Sequence, residues 1–437
     1  MGVELATLVL FGSFLILLVM GLPIVFALGG AAVIGTYFLW GPNALLMVAI
    51  RTFDSATSFV LLAIPLFIFM GSMLERSGIA KDLYDMMYKW IGPLPGGLAA
   101  GTVLVCAIFA CLVGISGAAT VTMALVALPS MLKHGYDRQL SLGCIAGGGA
   151  LGVLIPPSIL MIVLGLYTST SVGMLFLGGL GAGAVIVFLF VAYILIVCGV
   201  APQLGPPVPP AERVGWPERI RSLRAVALPI ILVVAILGSI TAGIATPSEA
   251  ASIGAFGAMV SAAIYGKLNW TAIKESCLTT LRLSCMVIWI IFAASIFTAL
   301  YAAVGAQSLV RDMLTLLPGG RWGVLLGMQF IWLVMGAFLD PIGIMLITMP
   351  LFFPLAVQLG FDPIWFNVLF IVNMEMAYLT PPFGFNLFYL KATAPRDVRM
   401  IEIYKSVGPF VLLQLISLIL MMVFPQIITW LPRYVLG

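Results

Sequence analysis

Two proline pairs mark where this sequence can do chemistry. Pro156-Pro157 and Pro381-Pro382 interrupt long apolar runs, with Ser158 directly after the first pair and Thr380 directly before the second. Proline lacks a backbone N–H and clashes with the preceding helical turn, so the carbonyls of residues 152–155 lose their helical partners. Freed carbonyls and hydroxyls are hard oxygen ligands that suit a weakly held cation such as Na+, and unwound carbonyls coordinate Na+ or H+ at broken helices in transporters. One such break alone reads as a kink packed by its glycines, here Gly147, Gly148 and Gly149. Repetition reverses that reading.

The break is repeated. Pro129, Gly135, Asp137, Leu154, Pro156 and Pro157 recur 225 residues later as Pro354, Gly360, Asp362, Leu379, Pro381 and Pro382. Each break is preceded by a double apolar segment with a polar or small middle: Ile115-Ser116-Gly117-Ala118-Ala119-Thr120 in the first, Phe338-Leu339-Asp340-Pro341-Ile342-Gly343 in the second. Paired apolar segments interrupted by Gly and Pro are the best sequence pointer to a transporter's binding site. Asp340 and Glu375 are the conspicuous carboxylates within apolar sequence, and an intramembrane carboxylate is a functional hypothesis by default. The alternative is that each is buried against groups that hold its loop in shape.

The elements that position these residues follow from composition. The chain has 437 residues, 62% hydrophobic and 8% charged, with a mean hydropathy of +1.20. A soluble domain carries about 25% charge, so this is an all-α polytopic protein of the lipid bilayer. The net charge of +4 does not point to nucleic acid. Six scattered cysteines without a C-x-x-C pair read as small hydrophobes. The single His134 gives zinc chemistry no support, and leaves a membrane protease without a base beside its nucleophile. No Lys or Arg precedes the first apolar run, which reads as an uncleaved span.

The expected organisation is a first repeat over 1–200, a proline-rich cytoplasmic linker over 201–224 and a second repeat over 225–437. The first repeat holds a double segment at 97–132 and a broken helix at 142–166; the second holds a double segment at 322–357 and a broken helix at 365–390. Another span is expected at 285–305. Amphipathic stretches precede each double segment, as interfacial helices do. With the N-terminus outside, sixteen of the twenty Lys and Arg residues fall inside, against Arg51, Arg311, Arg321 and Arg433 outside. That is a positive-inside bias, and it puts both termini on the periplasmic side. Five crossings before the linker turn the second half upside down, giving an inverted-topology repeat.

The Ser-Gly-small tip at 116–118, Gly135-Tyr136-Asp137, Gly152 with Pro156-Pro157-Ser158, Leu339-Asp340-Pro341, and Asn373-Met374-Glu375 followed by Thr380-Pro381-Pro382-Phe383-Gly384-Phe385-Asn386 carry a resemblance. Together they resemble the large membrane subunit of TRAP (tripartite ATP-independent periplasmic) transporters, over essentially the whole chain. The resemblance implies two helical hairpins, two broken helices, and an elevator-type transport domain sliding against a scaffold. It implies Na+-coupled uptake of an organic acid delivered by a periplasmic substrate-binding protein, beside a small four-span membrane subunit in the inner membrane. Carried onto this chain, a first cation site falls on Ser116, Gly117, Gly152, Pro156 and Ser158, and a second on Asp340, Thr380, Pro381 and Gly384. Substrate would lie between the tips, near Ser116, Gly117, Ser158, Thr380 and Asn386. The family's common Ser-Gly-Ser tip has Ala118 in third place here, one hydroxyl fewer. The nearest other reading is a single-subunit Na+/dicarboxylate carrier of related architecture. A passive channel fits paired broken helices less well.

Overall fold

The computed structural model of the protein describes residues 2–114 and 116–436. Ile115, which the sequence places in the first tip, lies outside the described residues. Among the described residues the fold has twenty-one α-helices with six short 3-10 or π turns, and no strand. Seven helical segments are long and apolar enough to cross a membrane. Helices close their backbone hydrogen bonds within themselves, which is what a lipid environment demands.

Each double segment is a pair of helices. Gly97–Val113 ends at Gly114, whose φ of +65° is left-handed, a common helix ending that glycine adopts without strain. The chain returns as Ser116–Lys133. The second hairpin consists of Gly320–Gly336 and Pro341–Gln358. Asp340 starts its return limb by accepting the Ile342 N–H at 3.0 Å, and Pro341 takes the first helical position, where a missing N–H leaves no bond unmade.

Both broken helices follow one plan. The first consists of Arg138–Ala150 and Ile159–Thr168, the second of Pro363–Ala377 and Phe385–Thr393. Asp137 caps the first by accepting the Leu140 N–H at 2.9 Å, and Asp362 caps the second by accepting the Trp365 N–H at 2.9 Å. The recurrence of Asp137 and Asp362 in the sequence therefore has a local cause. Both proline–proline peptide bonds are cis.

The helices pack in two groups. Ala63–Arg76 lies against Pro247–Ile264 and Trp270–Ala303, and the last also contacts Ile24–Gly35 and Leu45–Ala56. In the other group Arg138–Ala150 joins the first hairpin to Met400–Val423, while Val172–Val200 contacts Pro363–Ala377 and Gln426–Leu436. The groups meet where Trp270–Ala303 lies on Pro341–Gln358 and where Ala63–Arg76 lies on Gly97–Val113.

Three features depart from the sequence expectation. The span expected at 285–305 belongs to a helix that starts at Trp270, capped by Asn269 accepting the Ala272 N–H at 2.8 Å. Lys274, Glu275 and Arg282 break the hydropathy signal there without breaking the helix. Leu45–Ala56 is a further helix that the sequence reading did not assign. The linker is docked, not a free extended connector. The Gly96 N–H donates to Gly205 O at 2.8 Å, the Asp137 N–H to Leu204 O at 2.9 Å, and the Val208 N–H to Gly92 O at 2.9 Å. A Cβ on Gly205 would come within 3.0 Å of the Gly96 Cα, so this approach needs glycine. Tyr88 and His134 both bond Glu212, and these contacts, Tyr88 first, hold its carboxyl below the usual range.

Capping bonds of this kind contribute about 1 kcal/mol each. Asp137→Ala and Asp362→Ala should each lower the thermal unfolding midpoint of the purified protein, whereas Asp137→Asn, which keeps a cap acceptor, should lose little.

Candidate functional site

One cavity of about 120 Å³ brings together all four interrupted elements. Gly114 and Ser116 come from the first tip and Asp340, Pro341 and Ile342 from the second; Val153, Ile159 and Leu160 come from the first break and Tyr378 and Tyr389 from the second. Ile68 of Ala63–Arg76 and Leu283, Met286 and Val287 of Trp270–Ala303 close the remaining side with apolar surface. Tip and break of the first half touch directly: a Cβ on Gly114 would stand 2.5 Å from Pro157 O.

Three helices begin at this cavity, Ser116–Lys133, Ile159–Thr168 and Pro341–Gln358. Their first-turn N–H groups, apart from the Ile342 N–H that Asp340 accepts, and their positive dipole ends favour an anion. No Lys or Arg lines the cavity among the described residues. Ser116 is buried there, and Asp340 is partly buried with one carboxylate oxygen on its own helix start.

The other candidate residues lie in the breaks behind the cavity. Gly152, Pro156 and Ser158 are buried, and Ser158 donates its hydroxyl to Val153 O at 2.5 Å, bridging the first break. In the second, Thr380 donates its hydroxyl to Met376 O at 2.9 Å, back onto the helix that precedes the break. A Cβ on Gly384, where φ is +35°, would lie 3.1 Å from Thr380 O, so the second loop folds back tightly and brings those two residues together. Pro381 is exposed. In both hydroxyls the proton is committed to a carbonyl while the oxygen lone pairs remain available.

Asn386 is fully buried and ties the two broken helices together, its Nδ2 donating to Ala146 O at 3.2 Å. Its Oδ1 has no partner among the described residues. Gly117 faces a neighbouring cavity of about 260 Å³, which shares Ile68, Leu283 and Tyr389 with the central one. A Cβ on Gly117 would stand 2.8 Å from the Tyr389 ring. Glu375 lines neither cavity; it is fully buried and both its oxygens lack partners among the described residues.

Sequence reasoning did not assign a role to Tyr378, Tyr389, Ile68 or the Leu283–Val287 face. Tyr378 lies between Glu375 and Thr380 of the second break motif, so an aromatic beside a helix break was a usable signal. The others come from helices with no pattern to distinguish them.

Residues 11–427 match the family model described as "Tripartite ATP-independent periplasmic transporter, DctM component". The chain is 32% identical over 400 residues to the C4-dicarboxylate TRAP transporter large permease protein DctM of Pseudomonas aeruginosa, covering 91% of this chain and 92% of that protein. It is 28% identical over 413 residues to the ectoine TRAP transporter large permease protein TeaC of Halomonas elongata, covering 94% and 95%. In fold it is similar to the YdaH transporter of Alcanivorax borkumensis, with a TM-score of 0.64 at 15% identity over 90% of this chain and 91% of that one.

Glycine substitutions separate backbone strain from contact at the tip. Gly114 and Gly78 both have left-handed φ, but only Gly114 has an atom where a Cβ would go. Left-handed backbone costs a non-glycine residue roughly 1–2 kcal/mol. Gly114→Ala should therefore lower the unfolding midpoint more than Gly78→Ala, and should impair transport where Gly78→Ala does not.

Proposed function

The chain belongs to the DctM-component family of the tripartite ATP-independent periplasmic transporters, as the large permease subunit, and from that premise we propose that it imports an organic acid by Na+-coupled alternating access. The observation that carries this reading is the convergence of two hairpin tips and two helix breaks on one cavity without a basic side chain. An anion held there relies on helix starts and bound cations. Relatives of this chain are named for C4-dicarboxylates and for ectoine, so a small carboxylate is the substrate class proposed here.

Two cation sites are proposed at the breaks, one around Ser116, Gly117, Gly152, Pro156 and Ser158, the other around Asp340, Thr380, Pro381 and Gly384. The hairpins and broken helices would move as one body past Ala63–Arg76, Pro247–Ile264 and Trp270–Ala303, in the manner of an elevator. The apolar wall of Ile68, Leu283, Met286 and Val287 supports this, because it offers the moving body a surface without directional bonds to break. A small four-span subunit would lie beside the fixed helices, and a periplasmic binding protein would deliver the substrate. The subunit would sit in the inner membrane with the linker cytoplasmic and both termini periplasmic.

Uptake into proteoliposomes holding both membrane subunits should require a Na+ gradient and loaded binding protein; equal uptake of free substrate without either would contradict the reading. Thr380→Val removes a break hydroxyl while keeping its shape. Losing a polar partner costs about 1–3 kcal/mol where it is fully buried; at half-buried Thr380 the Na+ concentration for half-maximal uptake should rise at least about 5-fold. Ser158→Ala should act in the same direction and less strongly. Unchanged half-saturation in both would return the breaks to a purely structural role.

A further inference from the structure

Next to the central cavity, sharing Ile68, Leu283 and Tyr389 with it, lies the second cavity of about 260 Å³. Three of its lining residues have oxygen-bearing side chains on the two long helices outside the hairpins: Ser72 and Glu75 on Ala63–Arg76, and Thr279 on Trp270–Ala303. Gly117 of the first tip and Tyr389 of the second break face it from the opposite wall. Ser72 is 5% exposed, and its Oγ has no hydrogen-bond partner among the described residues. Glu75 makes no ion pair or hydrogen bond among the described residues, because the neighbouring Arg76 guanidinium is engaged by Glu275.

A carboxylate and hydroxyls around one cavity, with no ammonium or guanidinium bonded to that carboxylate, form a hard-oxygen donor set lacking its positive charge. Carboxylate, hydroxyl and water oxygens are the ligands that alkali and alkaline-earth cations take. We infer that Ser72, Glu75 and Thr279 form a Na+ site on the fixed helices, distinct from the sites at the breaks, which receives the coupling cation as it leaves the first tip. The inference rests on the Na+-coupled reading above. The position of Gly117 on the same cavity gives the ion a short route, because the tip that would release it and the carboxylate that would accept it line one cavity. The Glu75 charge that attracts the cation also repels a carboxylate substrate. Anion and cation therefore separate at the exit, and the fixed helices keep the ion when the tip moves away.

Direct Na+ binding to the full chain in lipid nanodiscs, measured by calorimetry, tests this independently of uptake. The wild-type chain should show more than one Na+ site. Glu75→Gln should weaken one of them at least about tenfold, since a bond to a charged group contributes about 1.5–3 kcal/mol. Ser72→Ala, a smaller change, should weaken the same site less, and Thr380→Val should weaken a different one. In proteoliposomes the Glu75→Gln protein should keep its Na+ half-saturation from the binding-protein side but need about tenfold more Na+ inside for inhibition. Wild-type Na+ binding in both Glu75→Gln and Ser72→Ala would overturn the site, as would a heat that follows pH instead of Na+. Intact Na+ binding with Na+-indifferent uptake would instead refute the coupling and leave the site standing.

Discussion

A helix that breaks within a membrane protein must find partners for its backbone, and the rest of this structure depends on that constraint. An unpaired peptide group in an apolar interior costs free energy comparable to a lost hydrogen bond. Here the chain breaks twice, at Pro156-Pro157 and at Pro381-Pro382, and each break is patched from within. Ser158 bonds Val153 O, Thr380 bonds Met376 O, and Asn386 bonds Ala146 O to join the two broken helices. The first tip reaches its break through Gly114, which leaves room for Pro157 O. Each hairpin is thus packed where a continuous helix would otherwise have run. Oxygen atoms that serve these patches retain lone pairs, and the proposed cation sites draw on them.

The same architecture explains how an anion can be held without a basic residue. Three helices start at the central cavity, and first-turn N–H groups have no partner within their own helix, although Asp340 takes one of them, from Ile342. The wall opposite them is apolar, contributed by Ile68, Leu283, Met286 and Val287 from helices outside the hairpins. One side of the cavity is therefore polar and built from interrupted backbone, while the other is smooth. Motion along the smooth side leaves the polar constellation intact, whereas motion within the polar side would tear its backbone bonds.

Much of this was legible in the sequence because the signals are local. Pro-Pro pairs, the Gly114 turn and the Asp caps act within a few residues, so the hairpins and breaks stand out and their repeat confirms them. Side chains that meet across the fold were not legible. Ile68 and Val287 lie in plain apolar helices, and only packing brings them to Ser116 and Asp340. Glu375 was conspicuous as a carboxylate in apolar sequence, but it lies off both cavities. The linker's docking was hidden because proline-rich composition reports stiffness and says nothing of partners. Leu45–Ala56 was missed because twelve residues carrying Arg51 and Asp54 do not resemble a span.

The central claim is that the tips and breaks move together past a fixed apolar wall. Val287 and Ile342 line the same cavity from the two sides of that boundary. Cysteines at these positions, in a chain stripped of its six native ones, can be joined by a short bifunctional thiol reagent that a reductant cleaves. The account predicts that the joined protein, reconstituted with its partners, stops transport and recovers on reduction, while either single cysteine treated alike keeps its activity. Transport at the uncrosslinked rate in the joined protein would contradict it.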